Sequence, residues 1–245
     1  MATRIIALWA VPRSVSTPFE RMFAERRDTT VVHEPFTECF YFSDGRASAR
    51  YGDAPEFAAY DGARAVDEIR RAAGPVVFVK DLAFQAAPYV PRRFLGSIAN
   101  TFIVRHPLVV LASLRRLKPD FTEAELGFLP LLELWTVATD LGGGPPVVVE
   151  GDAFRAEPAR VARAYCERVG IEFDPTMLAW ADGRIRPWLP HERESQAKWH
   201  GTLEQSRGIL PPAAVAPPPD TVDEAHEAMY RRALEVYERV AANAI

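Results

Sequence analysis

A three-layer α/β domain, with a central parallel sheet and helices on both faces, is the fold class that three observations predict. Short apolar runs alternate with segments of helical pattern, the first run enters a helix through a loop of one cation and three hydroxyls, and charged side chains stand just past every run. Alternating strands and helices favour parallel pairing, because each crossover returns the chain to the same edge of the sheet.

Arg4 to Ala10, RIIALWA, is largely apolar and too short for a free helix, so it reads as a buried strand. Thr17, Pro18 and Glu20 then offer an N-cap, a proline at the first helical position and the Glu of a capping box, which predicts a helix from that point. Between strand and helix lies Pro12-Arg13-Ser14-Val15-Ser16-Thr17. Unsatisfied N–H groups at a helix start, with the forked cation of Arg13 beside them, make an anion cradle. The Walker A pattern is absent and the loop holds no glycine. Since any strand-turn-helix needs polar turn residues, the loop's meaning rests on its companions.

Further strands are expected at Thr29 to Val32, Pro75 to Val79, Asn100 to Val104 and Pro146 to Val149, each rich in branched or aromatic residues and bounded by proline, glycine or charge. Helical patterns cover Asp61 to Ala73, Pro107 to Leu117, Thr122 to Leu141 and Glu157 to Val169, the last stopped by Gly170. A terminal amphipathic helix is expected over Thr221 to Asn243, with Thr221 and Glu224 as its capping box. No internal repeat is present.

In an open parallel sheet, ligands bind outside the carboxyl ends of the strands. Those ends carry Arg13, His33 with Glu34, Lys80 with Asp81, Arg105 with His106, and Glu150 with Asp152. One such charge is an ordinary solvated loop residue. Five sets in register point to one polar site. The fourth is the most specific, because Arg105 ends a strand, Pro107 opens a helix and Ser113 follows Arg105 by eight residues. Two turns of helix do not by themselves make Arg105 and Ser113 neighbours; an anion beside the helix would join them.

The 245 residues are 48% hydrophobic and 25% charged, enough for one domain over 1–245 with an ordinary core. The formal charge of −4 argues against a broadly basic nucleic-acid surface, and Arg92-Arg93 and Arg115-Arg116-Lys118 read as solvated faces or as part of a small anion's site. There is no apolar run of about 18 residues and no signal-like start, so neither a membrane partner nor secretion is expected, and the reading is cytoplasmic. Cys39 and Cys166 give no disulfide framework and no metal pattern; Cys166 reads as core and Cys39 is left open. Residues 37–60 are aromatic-rich and read equally as the wall of an acceptor pocket or as packing under a surface loop. Residues 181–220, rich in proline, tryptophan and arginine, read as a lid, where Lys198 and Arg207 either close on anionic groups or are plain surface cations.

With these residues in place, the chain resembles sulfotransferases that use 3′-phosphoadenosine 5′-phosphosulfate, in particular bacterial small-molecule ones. The family's strand-loop-helix signature, similar to PKSGTT or PRSGST, is matched by Pro12 to Thr17, which implies that Arg13, Ser14, Val15, Ser16 and Thr17 bind the 5′-phosphosulfate. Its second signature, an arginine at a strand end and a serine eight residues on, is matched by Arg105 and Ser113, which implies binding of the 3′-phosphate. VVHEPF at Val31 to Phe36, VKDLAF at Val79 to Phe84 and, more loosely, KWHGTLEQSRGI at Lys198 to Ile209 extend the resemblance and add Trp199, Arg207 and Gly208 to the donor-binding set. It implies a P-loop-like sulfotransferase fold, the donor nucleotide as co-substrate, no metal and a small-molecule acceptor, and it leaves a homodimer open.

Two departures stand out. Val15 occupies a position where glycine is common, and Arg13 replaces a lysine found in many relatives, keeping the charge while holding its proton more tightly. The catalytic base is open between His33 and Glu34. Intrinsic basicity favours His33, with an unperturbed pKa of about 6.5 against about 4.3 for glutamate. Successive strand residues face opposite sides, so both meet the acceptor only if the turn before Pro35 redirects one. A nucleotide-dependent small-molecule kinase would share the cradle but lacks its Walker pair here, and a non-catalytic nucleotide-binding subunit has only Val15 in its favour.

Overall fold

The computed structural model describes residues 3–51, 57, 59–183, 185, 204–212 and 222–245. Five strands, β1 Arg4–Ala10, β2 Thr29–His33, β3 Val76–Leu82, β4 Ala99–Val104 and β5 Val147–Glu150, form one sheet in the order β2-β3-β1-β4-β5. Every pairing is parallel. The chain leaves β1 for the edge position of β2, returns to place β3 between the two, and then crosses to β4 and β5 on the other side of β1, which makes the carboxyl end of β1 the switch point where such sheets bind ligands.

β1 is central, and its residues show it. Ile6, Leu8 and Ala10 face one layer while Ala7, Trp9 and Val11 face the other, all at 0% exposure. On the first side pack α1 (Ser16–Ala24) and α9 (Pro158–Val169), where Phe19 meets Tyr165 and Phe154 edge-on with centroids 4.9 Å away and Phe23 stacks on Phe78 at 3.8 Å. On the second lie α2 (Gly62–Arg71), α5 (Pro107–Leu117), α7 (Phe128–Gly142) and α10 (Glu224–Ala241). Short helices α3 (Ala83–Ala86), α4 (Arg92–Leu95), α6 (Glu123–Leu126) and α8 (Gly151–Ala156), a π-helix over Glu38–Phe42 and a 3-10 turn over Pro175–Leu178 complete the described elements. Both cysteines are buried, and burial pushes the Cys39 thiol up to about 12 and that of Cys166 up to about 11. No described helix is long and apolar enough to cross a membrane.

Several boundaries differ from expectation. α1 starts at Ser16 with Val15 as its N-cap residue, so Thr17 and Glu20 form no capping box. β3 runs through Lys80 and Asp81, which are buried strand residues rather than loop charges. The expected helix from Thr122 is two helices, α6 and α7, joined at Gly127 with φ 88°. A Cβ there would lie 2.6 Å from Pro12 Cδ, so both the backbone conformation and the close approach of the first loop call for glycine at the joint. α10 is capped by Asp223, whose side chain accepts from His226 N, whereas Thr221 lies outside the described residues.

Candidate active site

The loop after β1 is held from within. Ser14, fully buried, donates from Oγ to Val11 O at 2.7 Å, and Arg13 and Val15 both take left-handed backbone, with φ 62° and φ 71°. A valine in that region carries strain of about 1–3 kcal/mol that a glycine would not, yet the loop keeps the shape a glycine would give it. Val15 supplies no side-chain cap, so the first N–H groups of the nine-residue α1 open toward the loop. Ser16 and Thr17 begin that helix and line a neighbouring cavity. At the back, a Cβ on Gly151 would meet Ser14 O at 2.4 Å, so glycine lets α8 press against the loop.

Arg13 ties the two charged strand ends together. Its Nε donates to Ser113 Oγ at 3.0 Å, and its own carbonyl accepts from Arg105 Nη1 at 3.5 Å. Ser113 and Arg105 are thus joined through Arg13, a link that the eight-residue spacing does not reveal. Burial, followed by the nearby Arg105 and Arg116, lowers the Arg13 pKa. Positive charge beside a helix start favours an anion there. Arg105 meanwhile grips Asp152 with the Nε–Nη2 edge of its guanidinium, Nε at 3.0 Å from each carboxylate oxygen and Nη2 at 2.7 Å from one of them. His106 serves the helix that follows it, because its Nδ1 accepts from Leu108 N at 3.3 Å and so caps α5.

At the mouth of β2, Glu34 takes φ 43° just before Pro35, and this turn brings its side chain to the same side as that of His33. His33 Nε2 lies 4.0 Å from Glu34 Oε1. The other ring nitrogen, Nδ1, contacts both oxygens of Glu20, at 2.9 and 2.8 Å, and Glu20 is fully buried. Lys80 Nζ, paired in register beside His33, donates to Glu34 Oε1. Burial opposes the charged imidazolium, but the carboxylates of Glu20 and Glu34 outweigh it and raise the His33 pKa. Lys80 follows the same pattern, burial lowering and Glu34 and Glu20 raising its pKa, with a net rise. Asp81, desolvated and near Glu34, sits well above the usual carboxylate range while accepting from the N–H groups of Phe36 and Leu82.

A cavity of about 110 Å³ opens in front of this array, floored by Arg13, Glu34 and Lys80 and walled by Tyr41, Phe42 and Phe84. Within the aromatic stretch 37–60, Tyr41, Phe42 and Tyr51 line the cavity, whereas Phe40 and Phe57 pack in the cluster behind it. His33 is not among the lining residues. Lys118, which the sequence leaves between a solvated face and part of a small anion's site, is a cavity residue paired with the buried Glu125. Glu20 and Glu125 are the site residues that sequence patterning misses. Arg207 forms an exposed ion pair with Asp182, at 2.9 and 3.0 Å, and Gly208 bridges Ala179 in a short antiparallel contact. Neither lines the cavity. The neighbouring Leu210 and Pro211 carbonyls accept from Arg155 at 3.0 and 2.6 Å. Lys198 and Trp199 lie outside the described residues. Among the described residues, no three His, Cys, Asp or Glu side chains are grouped to hold a metal.

The sulfotransferase domain family matches residues 3–244. Two Arabidopsis thaliana proteins, branched-chain-amino-acid aminotransferase-like proteins 2 and 1, are 28% and 27% identical to this chain over 241 and 238 residues, covering 95% of it and 40% and 41% of themselves. The chain thus spans about two fifths of the length of these curated relatives. Among solved structures, a sulfotransferase domain from the curacin biosynthetic pathway is similar with a TM-score of 0.58 at 13% identity, over 98% of both chains. A sulfotransferase domain from the Synechococcus PCC 7002 olefin synthase gives 0.52 at 16% identity, over 97% of this chain and 94% of the other. At such identities the likeness is one of fold.

Proposed function

This chain belongs to the sulfotransferase family, and on that premise we propose that it moves a sulfuryl group from 3′-phosphoadenosine 5′-phosphosulfate to a hydroxyl or amine of a small-molecule acceptor. The observation that carries the reading is the junction at Arg13, where one guanidinium bonds Ser113 and its carbonyl accepts from Arg105. This contact supports the reading, because a nucleotide with phosphates at both its 5′ and 3′ positions needs its two phosphate sites close together.

In this reading Arg13 and the Ser14 to Thr17 loop hold the 5′-phosphosulfate, and Arg105 and Ser113 hold the 3′-phosphate, with Asp152 giving up part of its grip on Arg105. Trp199, Arg207 and Gly208 belong to the same donor-binding proposal. The acceptor oxygen attacks sulfur, the bond from sulfur to the bridging phosphate oxygen breaks, and the bisphosphate leaves with that electron pair. Charge grows on the bridging oxygen, so Arg13 and the N–H groups of α1 stabilise the transition state. The acceptor's proton goes to Glu34, which lines the cavity, rather than directly to His33, which does not. The protein's own cations supply the neutralisation, so the reaction calls for no metal. A cytoplasmic location belongs to the same proposal.

The test is a comparison of 3′-phosphoadenosine 5′-phosphate, ATP and AMP by calorimetry on the purified protein. Strong preference for the bisphosphate is expected. Equal binding of AMP, or preference for ATP with magnesium, would remove the basis of the proposal.

A further inference from the structure

We infer that Glu20 is a positioning residue of this site: it holds His33 through Nδ1 so that Nε2 faces Glu34 and can take over the proton that Glu34 removes from the acceptor. The inference rests on the sulfuryl-transfer reading above for its chemistry, but its geometry stands by itself. Glu20 is fully buried and turns both oxygens toward one imidazole nitrogen, at 2.9 and 2.8 Å. A buried carboxylate is costly unless it is compensated. A helix needs no such group at this position, since the α1 cap involves neither Glu20 nor Thr17.

The described groups that face His33 are Glu20 from α1, Glu34 from the turn after β2, and Lys80 from β3. With Nδ1–H donating to Glu20, the neutral ring presents the Nε2 lone pair to Glu34, 4.0 Å away. Hydrogen-bond range is about 1 Å closer, and such contacts commonly tighten only when substrate is bound. The proton path then balances. The acceptor O–H bond breaks, its proton goes to a Glu34 oxygen as the oxygen–sulfur bond forms, and it passes from Glu34 to Nε2. The resulting imidazolium sits between two carboxylates, Glu34 is restored as an anion, and Lys80 keeps its charge throughout. Before the next turnover the proton returns through Glu34, which lines the cavity, to solvent.

A consequence for pH follows with a definite sign. Carboxylates raise the His33 pKa above the ordinary 6.5, so the relay fails through protonated His33 at a higher pH than an isolated histidine would allow. Removing the Glu20 charge leaves burial, which lowers the pKa, less opposed. The experiment is kcat and kcat/KM against pH for the wild type, Glu20→Gln and Glu20→Asp, together with a donor-free ¹⁵N NMR titration of His33. We expect Glu20→Gln to lose about tenfold or more in kcat, to keep its donor KM, and to move its acidic limb to lower pH. Glu20→Asp should restore the limb toward the wild type. An unmoved limb in Glu20→Gln, or a wild-type His33 that titrates at or below 6.5, would overturn the assignment. If Glu20→Gln fails to fold, the wild-type ¹⁵N shifts decide through the tautomer of neutral His33: a proton on Nδ1 supports the assignment and a proton on Nε2 overturns it. A protein that shows the raised His33 midpoint but transfers no sulfuryl group would sink the sulfotransferase reading and leave the Glu20–His33 pairing standing.

Discussion

Arg13 is the residue on which most of the site converges, and its surroundings predict how it acts. Its half-buried guanidinium feels the positive charge of Arg105 and Arg116, so it has more to gain from an anion that forms during reaction than from one already screened in the ground state. Arg13→Ala should lower kcat by orders of magnitude while donor affinity changes less, as steady-state kinetics with saturating donor will read; unchanged turnover would contradict this. Arg105 belongs to the other end of the nucleotide. Arg105→Ala should weaken 3′-phosphoadenosine 5′-phosphate by roughly 1.5–3 kcal/mol, the worth of a charged hydrogen bond, and leave adenosine 5′-phosphosulfate nearly unaffected. Equal loss for both ligands in calorimetry would reassign it. At this scale the sequence exposes charges that follow strands, because a cation or histidine after an apolar run has nowhere else to go. It hides Glu20, since a glutamate three residues after Thr17 satisfies a capping-box pattern as well as a long-range contact to His33. It leaves Lys118 undecided between a solvated face and an anion's site, because only the fold brings Glu125 against it.

The elements around the loop depend on two glycines that make room for it. Gly127 admits Pro12, and Gly151 admits the Ser14 carbonyl, with a Cβ there only 2.4 Å from the oxygen. Gly151→Ala should therefore push the loop outward, costing about 1–3 kcal/mol as overpacking, or several degrees of melting temperature at this size, and should weaken bisphosphate binding in parallel. Gly144→Ala, with no atom within 4 Å of its added Cβ, is the control that should change neither. Thermal unfolding with and without nucleotide reads both; a loss of stability with unaltered binding would show that the loop's position does not matter to the ligand. Local signals succeed where both ends of a helix are written in adjacent residues, as in Pro107–Leu117. They fail where a left-handed residue sets the boundary: Gly127 divides the helix expected from Thr122, and Val15 moves the start of α1 ahead of Thr17.

For the molecule as a whole, alternation of strands and helices makes the parallel sheet legible, but the order β2-β3-β1-β4-β5 is a property of crossovers that no local pattern records. That order puts Arg13 at the switch point and sets His33 beside Lys80. The far side of the sheet is closed by α10, whose Val236 and Val240 are buried and after which Ile245 N donates to Val148 O at 3.1 Å. Burying those two valines is worth about 3–6 kcal/mol against a typical total of about 5–15 kcal/mol. Deleting residues 222–245 should thus abolish cooperative urea unfolding, and a truncated chain with an unchanged transition would refute this role. The most direct test of the central claim is a transfer assay with ³⁵S-labelled 3′-phosphoadenosine 5′-phosphosulfate and a panel of small phenols, alcohols and amines, comparing the wild type with Glu34→Gln. The account predicts a labelled acceptor formed one-for-one with released bisphosphate by the wild type, and almost none by Glu34→Gln; a wild type that binds the donor yet labels no acceptor, or a Glu34→Gln variant as active as the wild type, would contradict it.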